Sequence, residues 1–396
     1  VAWLAHSFTE RLDTTDGWAK FNQHYWREHY REFLEFFFAE MFISHVRDPS
    51  GSTAPARLHQ EEPPMIVTPK PREQTRARYP DEEGYVERDG VRVFYEVYGD
   101  APTTFLLFPT SPISHSRLWK AQIPYLSRHF RVITFDPRGN GRSDRPDTAE
   151  AYSYWEFVED GRAILEATRT ETALLAGICD GGGWALMLAA TQPATALGVA
   201  AIAPSVPRLT PSHPNYRRYP SLEPLDTDEG WAKCNVHYWR RDYRGFLEFF
   251  FSEQLPDPHS TKHIEDCVRW GLDGSAEALV FADEEAPLPF ASEEEARALC
   301  RRVRCPVLVV HGELDGCQPR ERAAAVAELA GGTLVALEGA GHDRFVHVVL
   351  DLAGAQRAVV DADLVDQAVE VFEVPDRVRA DPQSTVRRHD RSVARR

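Results

Sequence analysis

From residue 84 onward, apolar positions come in short runs that polar turns separate at regular intervals. "GYVERDGVRVFYEVYG" (84–99) alternates on both sides of Asp89-Gly90, a dipeptide suited to the positive φ values of a tight hairpin. "TFLLFPT" (104–110), "FRVITFD" (130–136), "TALLAGI" (172–178) and "LGVAAIAP" (197–204) are largely apolar runs of strand length, as expected of strands buried on both faces. Between them, residues 115–128 and 153–168 suit helices, and "GGGWALMLAATQ" (181–192) predicts a helix directly after a strand. The rhythm resumes with strand "CPVLVVHG" (305–312), helix "PRERAAAVAELA" (319–330) and strand "TLVALEGAG" (333–341). Strands alternating with helices predict an α/β fold, a mostly parallel twisted sheet with helices on both faces.

The interruption of this rhythm, residues 206–292, predicts a helical lid inserted into a core made of 81–205 and 293–360. Within it, "LDTDEGWAKCNVHYWRRDYRGFLEFFFSE" (225–253) matches "LDTTDGWAKFNQHYWREHYREFLEFFFAE" (12–40) at about 20 of 29 positions. Phe246, Phe249 and Phe250 recur at i, i+3 and i+4, one apolar face of a helix. Helix packing accounts for such a face, and the same face can line a substrate tunnel. Trp231, Tyr238, Trp239, Phe246 and Phe250 are therefore the candidate substrate-binding residues. Residues 1–46 form a partial lid-like repeat. It is either the remnant of an upstream module fused to the core or a second lid segment docked on the core or on the partner in a homodimer. Residues 47–80, rich in proline and charge, predict a linker. "RFVHVVLDLAGAQRAVV" (344–360) suits one helix, and 361–396 is a charged tail expected to be mobile.

Composition narrows the functions. A formal net charge of −16 does not suit a phosphate backbone, so nucleic acid is not an expected partner. No apolar stretch reaches the roughly 18 residues of a membrane span, so membrane insertion is not expected. The N-terminus lacks the basic and apolar regions of a signal peptide. The six cysteines (Cys179, Cys234, Cys267, Cys300, Cys305 and Cys317) show no paired spacing for a metal or a disulfide framework. They read as reduced thiols of a cytoplasmic protein.

The chemistry is carried by "LLAGICDGGGW" (174–184). Glycine two before and two after a nucleophile relieves crowding at a strand-to-helix corner; here these are Gly177 and Gly181 around Cys179. The following helix directs its N–H groups at the sulfur, which predicts a lowered thiol pKa. An acid after a later strand and a histidine after the last strand complete such a site. "ELDG" offers Asp315, with Glu313 as the fallback, and "GAGHD" offers His342. The N–H of Asp180 and that of Ser111, with Thr110 next, are the candidate oxyanion donors.

"DPRGNGRSDRP" (136–146), "GICDGGG", "HGELD" and "GAGHD", in this order, resemble the α/β-hydrolase superfamily. They look most like its lidded esterase, epoxide-hydrolase and haloperoxidase-like branch. The resemblance spans about 83–350. It departs from that family's pattern in carrying Cys rather than Ser, in "FPTS" where a His-Gly pair is common, and in a poorly matched closing helix. It implies acyl hydrolysis or acyl transfer through a Cys179 thioester, on a small-molecule substrate with an apolar or aromatic acyl group. Neither a metal nor an organic cofactor is implied. A non-catalytic ligand-binding or regulatory module on the same scaffold is the alternative.

Overall fold

The Asp89-Gly90 corner closes a hairpin. Asp89 (φ 51°) and Gly90 (φ 77°) join β1 (Glu82–Arg88) to β2 (Val91–Tyr98), which pair antiparallel from Arg88↔Val91 outward. In the computed structural model, residues 76–256 and 260–342 are described, with Lys20, Asn22, His24, Tyr25, His29 and Glu32. The chain divides into two units, Val1–Lys70 and Pro71–Arg396, and the elements below belong to the second.

Six further strands follow: β3 (Thr104–Phe108), β4 (Arg131–Phe135), β5 (Ala173–Ile178), β6 (Ala196–Ile202), β7 (Val307–Gly312) and β8 (Thr333–Leu337). The sheet runs β1-β2-β4-β3-β5-β6-β7-β8. β2 pairs antiparallel with β4, and every junction from β4 to β8 is parallel. The continuous apolar runs have their reason in the side-chain period of two. Leu106 and Phe108 enter one core cluster while Phe105 and Leu107 enter the other, on opposite faces of the sheet. The nine described helices are α1 (Ile123–Leu126), α2 (Tyr154–Ala167), α3 (Asp180–Thr191), α4 (Val236–Arg241), α5 (Tyr243–Gln254), α6 (Thr261–Leu272), α7 (Ala276–Val280), α8 (Glu293–Arg302) and α9 (Arg320–Ala330).

Residues from α2, α3, α8 and α9 fill the first cluster. Trp184 of α3 stacks on Phe157 of α2 with ring centroids 4.2 Å apart, both rings buried. Burial of each such side chain contributes on the order of 2 kcal/mol. Leu118, Trp119, Ile123 and Leu126 fill the second cluster.

Three expectations need correction. The helix predicted over 115–128 is broken into a 3-10 turn (Ser116–Trp119) and the single-turn α1, which carries Pro124 in its first turn. Proline has no N–H to continue an upstream helix, so a new one begins there. The strands over 104–110 and 333–341 stop at Phe108, just before Pro109, and at Leu337. The predicted linker 47–80 ends early. Arg76 bonds Glu96 at 2.8 Å and Tyr98 at 3.1 Å, and Arg78 pairs with Asp81, so 76–80 are fastened to the core. Residues 47–75, most of the repeat over 1–46, the closing helix over 344–360 and the tail 361–396 lie outside the described residues.

Between β6 and β7, the insertion over 206–292 is helical (α4 to α7) and has its own apolar cluster. It rests on the loop after β3. Ile113 belongs to that cluster, Lys120 pairs with Asp266 of α6, and His115 Nε2 lies 3.4 Å from Asp273.

Candidate active site

Cys179 sits between β5 and α3 at φ 52°, ψ −119°, a conformation that costs a non-glycine residue about 1–3 kcal/mol. Its neighbours hold it there. The Cys179 N–H donates to Ile202 O at 2.9 Å, and its carbonyl accepts from Ser205 N at 2.9 Å and Gly182 N at 3.0 Å. The two flanking glycines are required by space. A Cβ on Gly177 would lie 2.1 Å from the Gly181 carbonyl, and one on Gly181 would lie 2.0 Å from Pro109 O. The corner is thus pressed against the loop after β3, where Thr110 and the expected oxyanion donor Ser111 are buried. Asp180 is the first residue of α3, so its N–H has no partner within the helix.

The acid and the histidine follow β7 and β8. His342 Nδ1 lies 2.8 Å from Asp315 Oδ2, and both side chains are buried. Asp315 Oδ1 accepts from the N–H groups of Cys317 (2.7 Å) and Gln318 (2.8 Å), which fix the carboxylate. Glu313 is exposed, so the structure pairs His342 with Asp315 rather than with the fallback acid. The sulfur of Cys179 and a ring nitrogen of His342 are within 4.8 Å. Residues far apart in sequence meet because β5, β6, β7 and β8 are successive neighbours in the sheet.

Electrostatics overturn the expectation of a lowered thiol pKa. The Cys179 pKa is pushed well above the usual thiol value, first by the hydrogen bond with Cys317, then by burial and by the Asp180 carboxylate. The positive end of α3 does not outweigh these. Burial works to lower His342, but the Asp315 carboxylate and Cys179 outweigh it and hold the imidazole well above its usual value. Burial raises Asp180, against its hydrogen bonds from Tyr154 and Ser205. Those bonds occupy the Asp180 carboxyl, so the elbow presents Cys179.

Several residues at the site escaped sequence reasoning. Gln318 Nε2 donates to Cys179 Sγ at 3.3 Å, and Tyr216 OH lies 3.1 Å from Cys317 Sγ. Arg322 bonds Gln318 Oε1 and the carbonyls of Thr210 and Pro211, tying the start of the insertion to α9. The one available signal was Cys317 itself, two residues beyond the acid in "ELDGCQP". Of the candidate substrate residues, Trp231 packs beside the site, its ring 5.2 Å from that of Tyr216. Trp239, Phe246 and Phe250 pack on one another within the insertion, and Tyr238 interacts with Lys233 and Asp242.

Comparison with known proteins gives the same fold. A family model described as the α/β hydrolase fold matches residues 103–346. The chain is 27% identical over 267 residues to a non-heme chloroperoxidase of Burkholderia pyrrocinia, covering 64% of this chain and 91% of that one. It is 28% identical over 245 residues to the bifunctional esterase/perhydrolase DCH of Acinetobacter calcoaceticus, covering 60% and 84%. Among solved structures, esterase RhEst1 from Rhodococcus sp. ECU1013 superposes with a TM-score of 0.58 at 19% identity, covering 71% of this chain and 98% of that chain. With a mostly parallel eight-stranded sheet and a family match over more than half of its length, the chain belongs to the α/β-hydrolase superfamily.

Proposed function

We propose that the protein is an acyl hydrolase or acyltransferase that works through a thioester at Cys179. The observation that carries this is the strained corner at Cys179, within reach of the His342–Asp315 couple. Attack requires the form of the pair with the proton on sulfur and a neutral imidazole, so that sulfur and proton move together, as with a hydroxyl nucleophile. The Cys179 sulfur bonds the acyl carbon as its proton passes to His342, and Asp315 steadies the imidazolium. The N–H groups of Asp180 and Ser111 receive the oxyanion. Collapse breaks the bond to the leaving group, which takes the proton from His342. Water or another acceptor, deprotonated by His342, then releases the acyl group and restores the thiol. The esterase and perhydrolase names of the relatives support ester-like substrates, and the aromatic insertion, acting as a lid, supports an apolar or aromatic acyl group.

The raised thiol pKa favours one other reading, a non-catalytic ligand-binding module on this scaffold. One experiment decides. Metal-free protein is mixed with p-nitrophenyl acetate, quenched in acid and mapped by mass spectrometry. An acetyl group on Cys179, absent from Cys179→Ala, is the expected result. An unmodified Cys179 with no nitrophenol release overturns the proposal.

A further inference from the structure

Acyl transfer needs one sulfur, and this site holds two. The Sγ atoms of Cys179 and Cys317 and a ring nitrogen of His342 all lie within 4.8 Å of one another. We propose that Cys179, Cys317 and His342 form a binding site for a thiophilic divalent cation of the zinc type.

The donor chemistry is two cysteine sulfurs and one imidazole, with a fourth position left for water, a set that suits tetrahedral zinc. Zinc–sulfur bonds of about 2.3 Å and zinc–nitrogen bonds of about 2.0–2.1 Å put tetrahedral donors about 3.5–3.8 Å apart. The trio reaches that spacing by closing on the ion by about 1 Å, within the range of side-chain rotation.

The surroundings are those of a metal site. The Nδ1 of His342 is engaged by Asp315, which leaves Nε2 as the nitrogen presented to the sulfurs. A carboxylate behind a ligating imidazole fixes its tautomer and increases its basicity. Asp315 is itself held by the N–H groups of Cys317 and Gln318, so ligand and support are built by one turn. Each sulfur also has a polar neighbour outside the trio. Gln318 Nε2 lies 3.3 Å from Cys179 Sγ, and Tyr216 OH lies 3.1 Å from Cys317 Sγ. Both can donate to a metal-bound thiolate. The charges balance as well. Binding releases one proton from each thiol to solvent, and the imidazolium proton wherever His342 carries one, so that two thiolates neutralise the ion and His342 coordinates as the neutral imidazole.

The consequence is exclusion. With its sulfur on the metal, Cys179 is unavailable as a nucleophile, so cation binding and reaction with electrophiles compete. This holds whether or not acyl transfer is the protein's activity, and the acyl-labelling experiment uses metal-free protein so the two ideas fail separately.

The test is titration of reduced, metal-free full-length protein with Zn2+ by calorimetry, alongside iodoacetamide labelling of Cys179 read by peptide mass. One ion per chain is expected, with labelling slowed by about tenfold or more. Replacing a ligand should cost at least the ~10–100-fold in affinity lost on removing a supporting partner, so Cys317→Ala should weaken binding by that much. Cys300→Ala, altered at a buried cysteine away from the site, should bind as the wild type does. Should Cys317→Ala not fold, Co2+ added to the wild type gives the readout: a thiolate-to-cobalt charge-transfer band with intense tetrahedral d–d absorption is expected. Absence of that band, absence of one-per-chain binding, undiminished labelling of Cys179, or undiminished affinity in folded Cys317→Ala overturns the proposal.

Discussion

Gly181→Ala is the sharpest perturbation of the elbow. The added Cβ would stand 2.0 Å from Pro109 O, where ordinary contact begins at 3.4 Å, a deficit of about 1.4 Å. Both sides of the clash are backbone, so no side chain can rotate away. Either α3 lifts from β5 or the loop carrying Thr110 and Ser111 moves outward. Overpacking of this kind costs about 1–3 kcal/mol of stability. The chemical cost is of the same order, because a displacement of about 1 Å at a reacting centre costs on the order of 100-fold in rate, about 2.7 kcal/mol. Gly90→Ala is the matched control. Gly90 has a positive φ of 77° but nothing within 4 Å of a Cβ, so the change costs about 1–2 kcal/mol of backbone strain and leaves the site untouched. The assay is the rate of Cys179 acylation by p-nitrophenyl acetate, paired with urea denaturation of each variant. Gly181→Ala is expected to lose about 100-fold in rate, and Gly90→Ala to lose stability alone. Acylation of Gly181→Ala at the wild-type rate would refute the account of the elbow.

Three further outcomes are expected. His342 is raised in the folded chain, so its stabilisation is complete below the unfolded value of about 6.5 and is lost as pH rises through the folded value; Cys179, also raised, acts in the same direction on the alkaline side. Thermal melts should therefore show Tm falling from pH ~6 to ~9, with a shallower fall in His342→Gln, and an unchanged slope would contradict this. Asp160 is buried between Arg138 and Arg88, bonded to each at 2.7 Å, so Asp160→Ala should destabilise by about 3 kcal/mol in urea titration by leaving two guanidinium groups to share Glu156. Cys179→Ser should shift the ratio of kcat/KM for matched thioester and oxygen-ester substrates toward the oxygen ester; an unchanged ratio would mean that the thiol has no chemical purpose of its own.

What the sequence made legible follows from the range of the interactions involved. β3, β5 and β7 are short, mostly apolar runs buried on both faces, with polar residues only near their ends (Thr104, His311), so composition alone marks them. The elbow was legible because its two glycines flank Cys179 at fixed spacing, although the atom that crowds Gly181, Pro109 O, comes from another strand end. Helix 115–128 was misread because its apolar positions fit a helical face, while Pro124 sets where the turn restarts. The linker boundary was misread because Arg76 looks solvated in sequence, and its buried partner Glu96 is visible only in the sheet. The direction of the Cys179 pKa was misjudged for the same reason: the helix end is local, but Cys317 arrives from the turn after β7, two strands away in the sheet. The second sulfur and Tyr216 could not be paired with Cys179 from spacing, since the sheet order alone brings them together.

The spread of the site over β5, β7 and β8 makes folding the switch that turns on its chemistry. During synthesis the Cys179 corner emerges long before Asp315, and His342 comes after the eighth strand. A nascent chain therefore carries Cys179 without the proposed base His342, and a product cut short before Gly341 never acquires it. Such long-range pairing also slows folding, because distant segments must close before their contacts repay the lost entropy. The ribosome thus exposes Cys179 alone, and the residues proposed to act with it stand together only once the segment after β8 has been made.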